Sequence, residues 1–316
     1  MSHADTPSLE VKDLSVTYGE FQALKSLNLS IQKGELIGVI GPNGAGKTSL
    51  IKALCGRVKS TGQILVEGQI LKRGQDRRRK IGLVPQEIGL YPKLTARENL
   101  DVIARLLGVK PAKRILGIES ALGAVGLTSK AGSLVQDLSG GMKRRINVAA
   151  AIMHDPALVI FDEPTAGVDI PARDEVHKLA RRQAEQGRAV ILVTHELDEA
   201  ETLCDKVLLL SEGQRLAFDS PPNILSQQFG DVQDIVLRFA SPPSSETIEA
   251  IRPFKFERYG SVNSWTAVTH LGKTAFMSEL VEALNEQTES IREISIRRPG
   301  LSALMHHLEA DKGLRE

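Results

Sequence analysis

Cysteine is nearly absent: Cys55 and Cys204 are the only two in 316 residues. They lie far apart in sequence, which excludes a disulfide framework and reads as two buried, reduced thiols. Long hydrophobic runs are missing as well. The most apolar stretches, Leu36 to Ile40 and Ala189 to Val193, fall far short of the roughly 20 residues a membrane-spanning helix needs, so the chain is not expected to cross a bilayer. Charge of one sign is also lacking. Forty Lys and Arg against 39 Asp and Glu leave a formal net charge of +1, which excludes a global field that gathers nucleic acid, and no nucleic-acid partner is expected. The opening Met-Ser-His-Ala-Asp-Thr-Pro has neither a basic start nor an apolar stretch, so it does not read as a secretory signal and a cytoplasmic location is expected. No internal repeat or low-complexity tract is visible.

What is present is the composition of an ordinary globular protein, 41% hydrophobic and 25% charged, long enough for a large domain and a small one. From Leu9 to about Ser220, β-branched apolar runs alternate with helical patterns, the signature of an α/β domain whose parallel sheet is covered by helices. Strands are expected at Leu36 to Ile40, Ile81 to Val84, Leu158 to Phe161, Val190 to Val193 and Val207 to Leu210. A glycine-rich loop follows the first, Gln86 the second, Asp162 and Glu163 the third, and His195 the fourth. Ligands of open α/β sheets bind beyond the carboxyl ends of the strands, so these four groups are expected to converge. The pattern breaks at Ser220-Pro221-Pro222, giving an expected division into 1–225 and 226–316. The tail then reads as strand, helix, two strands flanking Tyr259-Gly260-Ser261, helix, strand and a final helix. That β-α-β-β-α-β order is a split βαβ, an α+β arrangement, with Trp265 in its core.

Gly41-Pro42-Asn43-Gly44-Ala45-Gly46-Lys47-Thr48, followed by Ser49, stands between an apolar strand and a helical stretch and fits G-x-x-x-x-G-K-[ST]. Glycines let the backbone wind so that successive N–H groups face phosphates, and the helix start adds its positive end. Lys47 is expected to reach the β- and γ-phosphates and Thr48 to ligate magnesium, so the loop points to a nucleoside triphosphate. Asp162 and Glu163 end a buried strand, a costly place for two acids. The first can hold magnesium and the second can accept a proton from an attacking water.

Leu138-Ser139-Gly140-Gly141-Met142 precedes an alanine-rich helical stretch. It reads either as a plain N-cap or as a second phosphate-binding helix start. One γ-phosphate does not need two cradles from one subunit, so the second reading implies a head-to-tail homodimer in which Ser139, Gly140 and Gly141 face the other subunit's nucleotide. Tyr18, before Gly19, is either a strand-end rim residue or a platform for a base. Arg77-Arg78-Arg79-Lys80 reads as a solvated loop ahead of a lipid or nucleic-acid site. Adjacent His306 and His307 diverge by about 100° on a helix and are not expected to share a metal.

Together these residues resemble the ATP-binding subunits of ABC transporters over about 200 residues. The motifs fall in that family's order: the glycine loop, Gln86 after a strand, Leu-Ser-Gly-Gly, Asp162-Glu163, Ala166-Gly167-Val168-Asp169 and Val193-Thr194-His195. The resemblance implies a P-loop NTPase fold of the ABC type with the small tail as an accessory or regulatory domain. It implies ATP and Mg2+ as cofactors and a separate membrane permease as partner at the inner face of the cell membrane. It further implies that Tyr18 stacks on adenine, Gln86 touches magnesium and senses the permease, Glu163 is the base, His195 holds the γ-phosphate, and Asp169 links the two sites across the dimer. The Gly-Gly-Met-Lys-Arg-Arg continuation, the single cassette and the tail sequence from Ile291 to Leu301 resemble the ABC-2 or drug-resistance exporter branch, although Ser302 to His307 departs from the acidic and aromatic pattern expected there. A soluble ABC ATPase acting on ribosomes or nucleic acid is the alternative. It is disfavoured by the single cassette and by the lack of a long coiled-coil insertion.

Overall fold

The computed structural model describes residues 6–167, 170–230, 232–258, 261–270, 274–285, 291–297 and 299–305. By contacts the chain divides into two compact units, Met1–Pro221 and Pro222–Glu316. The first contains β1 (Leu9–Tyr18), β2 (Phe21–Ile31), β3 (Leu36–Ile40), α1 (Lys47–Leu54), β4 (Thr61–Val66), β5 (Gln69–Ile70), α2 (Gln75–Lys80) and β6 (Ile81–Val84). It continues with α3 (Ala96–Leu106), α4 (Pro111–Ala124), α5 (Gly140–Ile152), β7 (Leu158–Asp162), α6 (Ile170–Glu185), β8 (Ala189–Val193), α7 (Leu197–Leu203), β9 (Lys206–Ser211) and β10 (Gln214–Asp219).

The central sheet runs β10-β9-β3-β8-β7-β6, parallel throughout except that β10 folds back antiparallel on β9. Strands β3 and β8 are buried at every residue, and β7 at all but its last. That is why they read as continuous apolar runs with no alternation. A second sheet, β2-β1-β4-β5, is antiparallel and stands beside the expected parallel one. Only Gly19 and Glu20 separate β1 from β2, and Gly19 takes φ 59°. A two-residue connection closes an antiparallel pair, whereas a parallel one needs a crossover of a dozen residues or more. Leu9, Leu14, Leu24 and Leu27 of this sheet share one core with Ile37, Ile160, Ile191 and Leu208 of the central sheet and with Leu50 and Leu54 of α1. The helix behind the glycine loop is thereby clamped between two sheets.

The basic run 77–80 is also corrected. It forms α2, and Arg77 is buried, donating from Nε to Leu71 O at 3.4 Å and from Nη1 to Ala53 O. Ala53 lies in the last turn of α1, and Arg77 adds a second donor to its carbonyl, which also accepts from Gly56 N–H at 3.0 Å. Burial lowers the pKa of its guanidinium. Helix α3 starts with a capping box in which Thr95 and Glu98 bond each other's backbone N–H. Fully buried Asn99 ties down the preceding turn through Tyr91, Leu94 and Thr95.

The second unit holds α8 (Pro221–Phe229), β11 (Val232–Phe239), α9 (Ser245–Ile251), β12 (Glu257–Arg258), β13 (Ser264–His270), α10 (Thr274–Asn285) and β14 (Ile291–Arg297), with helix again at 301–305. Its sheet runs β12-β13-β11-β14, antiparallel at every pairing, the arrangement of a split βαβ. Ile235, Leu237, Phe239, Ile251, Ala267 and Leu280 form its core, with Trp265 packed against it. Phe254 meets Phe276 edge-on at 5.3 Å. Tyr259, Gly260, His306 and His307 lie outside the described residues. Among the described residues no helix is long and apolar enough to cross a membrane.

Candidate nucleotide site

Strand register decides which loops meet. Val39 of β3 pairs with Val193 of β8, Val193 pairs with Asp162 of β7, and Phe161 pairs with Val84 of β6. Four consecutive strands therefore end level, and the loops beginning at Gly41, Thr194, Glu163 and Pro85 emerge along one sheet edge. Groups from residues 41 to 195 are brought together there.

The glycine loop is set by backbone constraint. Gly41 has φ 152°, and a Cβ there would stand 2.2 Å from Leu210 O. Gly46 has φ 108°, and its Cβ would stand 2.7 Å from Ala23 O. A side chain at either position would push the loop off β9 or β2. Gly44 faces open space, and Ala45 is buried beneath the loop. No side chain caps α1 and its first turn carries no acid, so the positive helix end stands uncompensated in a cradle that suits phosphate. Lys47 lies along this loop, its Nζ donating to Gly41 O at 2.6 Å and to Pro42 O at 3.0 Å. Burial lowers its pKa, and the Glu163 charge opposes that effect.

Glu163 is the meeting point. Its φ is 44°, uncommon for a residue with a side chain, and its N–H is held by Val193 O at 2.9 Å. Gln86 Nε2 donates to Glu163 Oε2 at 3.1 Å, and His195 Nδ1 lies 3.7 Å from the same oxygen. Gln86, Glu163 and His195, each expected at the site, therefore gather on one carboxylate oxygen. Asp162, half-buried, has its pKa raised by burial and next by the neighbouring Glu163, with Arg57 and Lys52 opposing.

The donor set suits one hard divalent cation. The Thr48 hydroxyl, the Asp162 carboxylate and the Gln86 amide are oxygen donors, and the described residues contain no cluster of three or more His, Cys, Asp or Glu. Magnesium is typically held by one or two carboxylates with substrate phosphates supplying the rest.

Ser139 caps α5, its Oγ accepting from Met142 N at 3.2 Å, and the first turn holds no acid. The capping role is thus real, and it leaves Gly140 facing open space. The Ser139–Met142 turn borders a cleft of about 720 Å³ with Ile88, Ala166, Gly167 and Pro171, and no residue of the glycine loop lines it. Tyr18 ends β1 with its ring exposed, opposite exposed Phe21 in the hairpin. Asp169 lies outside the described residues.

Sequence reasoning missed the tether between α5 and the Gln86 loop. Buried Arg144 donates to the carbonyls of Pro85 and Gln86, and Asn147 donates to Glu87 O at 3.2 Å. Positions 144 and 147 share a helix face, but nothing in the sequence shows that the face meets a loop some 60 residues earlier. The cysteines are free, Cys204 buried and Cys55 half-buried, and burial pushes the Cys55 thiol to about 11.

A strand, a glycine loop and a helix that begins at Lys47, beside an acid pair at a neighbouring strand end, define a P-loop nucleoside triphosphatase. Comparison with known proteins narrows this class. A family profile described as ABC transporter matches residues 24–166. The linearmycin resistance ATP-binding protein of Bacillus subtilis (strain 168) is 38% identical over 225 residues, covering 71% of this chain and 72% of the relative. The Nod factor export ATP-binding protein I of Rhizobium sp. (strain N33) is 36% identical over 249 residues, covering 78% and 81%. The solved structure of cbiO1 from Clostridium perfringens, part of the ABC transporter complex cbiONQ, superposes with a TM-score of 0.64 at 27% identity, covering 71% of this chain and 92% of that one. The chain belongs to the ABC transporter family as an ATP-binding subunit, and it is an ATPase.

Proposed function

We propose that this ATPase works as a head-to-tail homodimer on MgATP and drives export through a separate membrane-spanning permease, docked at the cytoplasmic face of the membrane. The observation that carries the dimer reading is the separation of two helix starts that carry no acid in the first turn. One chain offers the cradle of α1 and the turn at Ser139, Gly140 and Gly141, yet the cleft at that turn excludes the glycine loop. A head-to-tail pair supplies each nucleotide with one of each. The names of the linearmycin-resistance and Nod-factor-export relatives support export, and membership of cbiO1 in a transporter complex supports a permease partner.

In this reading Tyr18 stacks on adenine, while the backbone of Gly41 to Thr48, with Ser49, cradles the phosphates. Lys47 leaves the carbonyls of Gly41 and Pro42 for the β- and γ-phosphates. Thr48, Asp162 and Gln86 would hold Mg2+, which supplies neutralisation of phosphate charge. Glu163 takes the proton of the water that attacks the γ-phosphorus as the bond to the β-phosphate oxygen breaks, leaving ADP and phosphate. His195, within reach of the same carboxylate, holds the γ-phosphate, and Asp169 links the two sites.

Because Gln86 bonds the base directly, any displacement of its loop reaches Glu163. That loop leads into exposed Ile88 and Tyr91, apolar side chains suited to a permease loop. Affinity capture of Glu163→Gln with MgATP from detergent-solubilised cells, followed by mass spectrometry, tests the whole reading. Stoichiometric recovery of a protein with several apolar spans of about 20 residues is expected, and recovery of ribosomes or nucleic acid in its place overturns it.

A further inference from the structure

Helix α6 touches two parts of the site with two different faces. Successive helical residues turn by about 100°, so Pro171, Ala172 and Glu175 share one side while Arg173 and His177 share another. The first side lines the cleft at Ser139–Met142, close enough that a Cβ on Gly141 would lie 3.3 Å from Ala172 Cβ. The second side grips the loop that carries His195.

The grip is a continuous polar network. Arg173 donates through Nη1 and Nη2 to the two carboxylate oxygens of Glu196 at 2.6 and 3.0 Å, a two-pronged fit that holds a carboxylate in orientation as well as place. Its Nε lies 3.5 Å from Glu199 Oε1, and His177 Nε2 lies 3.3 Å from that oxygen. The other oxygen of Glu199 accepts from Thr194 Oγ1 at 3.1 Å, and Thr194 Oγ1 accepts from Glu196 N–H at 2.9 Å. Glu199 is buried. Burial works to raise its carboxyl pKa, but His177, Thr194 and Arg173 together bring it below the usual range, so the network keeps an ionised carboxylate at its centre.

His195 sits between Thr194 and Glu196, and both neighbours are fixed. Its own side chain is 60% exposed, so packing does not orient it and the backbone on either side must. We propose that Arg173, through Glu196 and Glu199, is a positioning residue for His195, tying that histidine to the same rigid helix that meets the Ser139–Gly141 turn. The inference rests on the ATPase reading of His195. The brace holds the histidine where it can reach the γ-phosphate without touching nucleotide itself.

The test is steady-state ATPase activity and ATP affinity of the full chain carrying Arg173→Glu, Glu196→Arg or both, beside wild type and His195→Ala. A misplaced catalytic group costs turnover more than binding, so each single reversal should lower kcat about tenfold or more with KM for ATP within about twofold. The double reversal, which restores an opposite-charge pair with position 196 but sets a carboxylate toward buried Glu199, should recover part of that loss. Single variants with wild-type kcat, an equal loss in ATP affinity, or a double variant no better than the singles would each overturn the brace. If Arg173→Glu does not fold, Arg173→Gln is judged by the same kcat and KM criteria. Failure of the wild type to hydrolyse ATP, or full activity of His195→Ala, would strike the underlying reading instead.

Discussion

Gln86 Nε2 donates to Glu163 Oε2 at 3.1 Å, across 77 residues of sequence. The group that would sense a partner and the group that would act as base are thus in direct contact, with His195 Nδ1 3.7 Å from the same oxygen. Glu163→Gln keeps the shape of this side chain but cannot take up a proton. ATP binding should survive, hydrolysis should fall by about 10²-fold or more, and light scattering should register a dimer with MgATP. Only monomers under those conditions would rule out the shared site.

Lys47 is held over its own loop by the carbonyls of Gly41 and Pro42. Lys47→Ala removes the cation while leaving the glycine backbone intact. Turnover should drop by about 10²- to 10³-fold, the scale for losing a preorganised charge contact. A coupled-enzyme assay reading wild-type turnover would remove the loop from the mechanism.

Asp162 offers a prediction in pH. Its pKa is raised above 3.8, first by burial and then by Glu163. A carboxyl with a raised folded pKa contributes stability below its ordinary value and loses it as pH rises through the shifted one. At pH 7 the ionised form is therefore a cost to the nucleotide-free fold. Asp162→Asn should raise Tm at pH 7, the gain should shrink as pH approaches 3.8, and magnesium-dependent turnover should fall. An unchanged or lower Tm at pH 7 contradicts the account.

Arg77 is a test of structure without chemistry. It is buried and bonds Leu71 O and Ala53 O, the latter at the end of α1. Arg77→Ala takes the guanidinium from Leu71 O, while Ala53 O keeps Gly56 N–H; the lost bonds should cost about 2 kcal/mol, or a fall in Tm of roughly 4–8 °C. Calorimetry showing no change would return the residue to the surface, where its sequence placed it.

The legible parts of this protein are those encoded by local pattern. The glycine loop needs glycine at Gly41 and Gly46 because backbone lies 2.2 and 2.7 Å from where a Cβ would stand, and that need is written in the motif. The apolar runs of β3, β7 and β8 announce buried parallel strands, and Ser139 announces a helix start. The basic run misled because the same four residues describe a solvated loop or a short helix with one side inward. The carbonyls of Leu71 and of Ala53, the latter 24 residues away, tell them apart. The antiparallel sheet is signalled locally only by the two-residue link Gly19-Glu20.

Sequence alone determined the chemistry on offer: a phosphate cradle, a lysine, an acid pair, a histidine and a second helix start, each a property of a few consecutive residues. Tertiary structure decided which of these touch. The level ends of β3, β8, β7 and β6 bring Gln86 and His195 to one oxygen of Glu163, two faces of α6 reach Ser139's turn and the His195 loop, and Arg144 clamps the Gln86 loop. The reason is physical. Strand register and helix orientation are set by burying one shared core from distant segments, and contacts made that way leave no trace in local spacing.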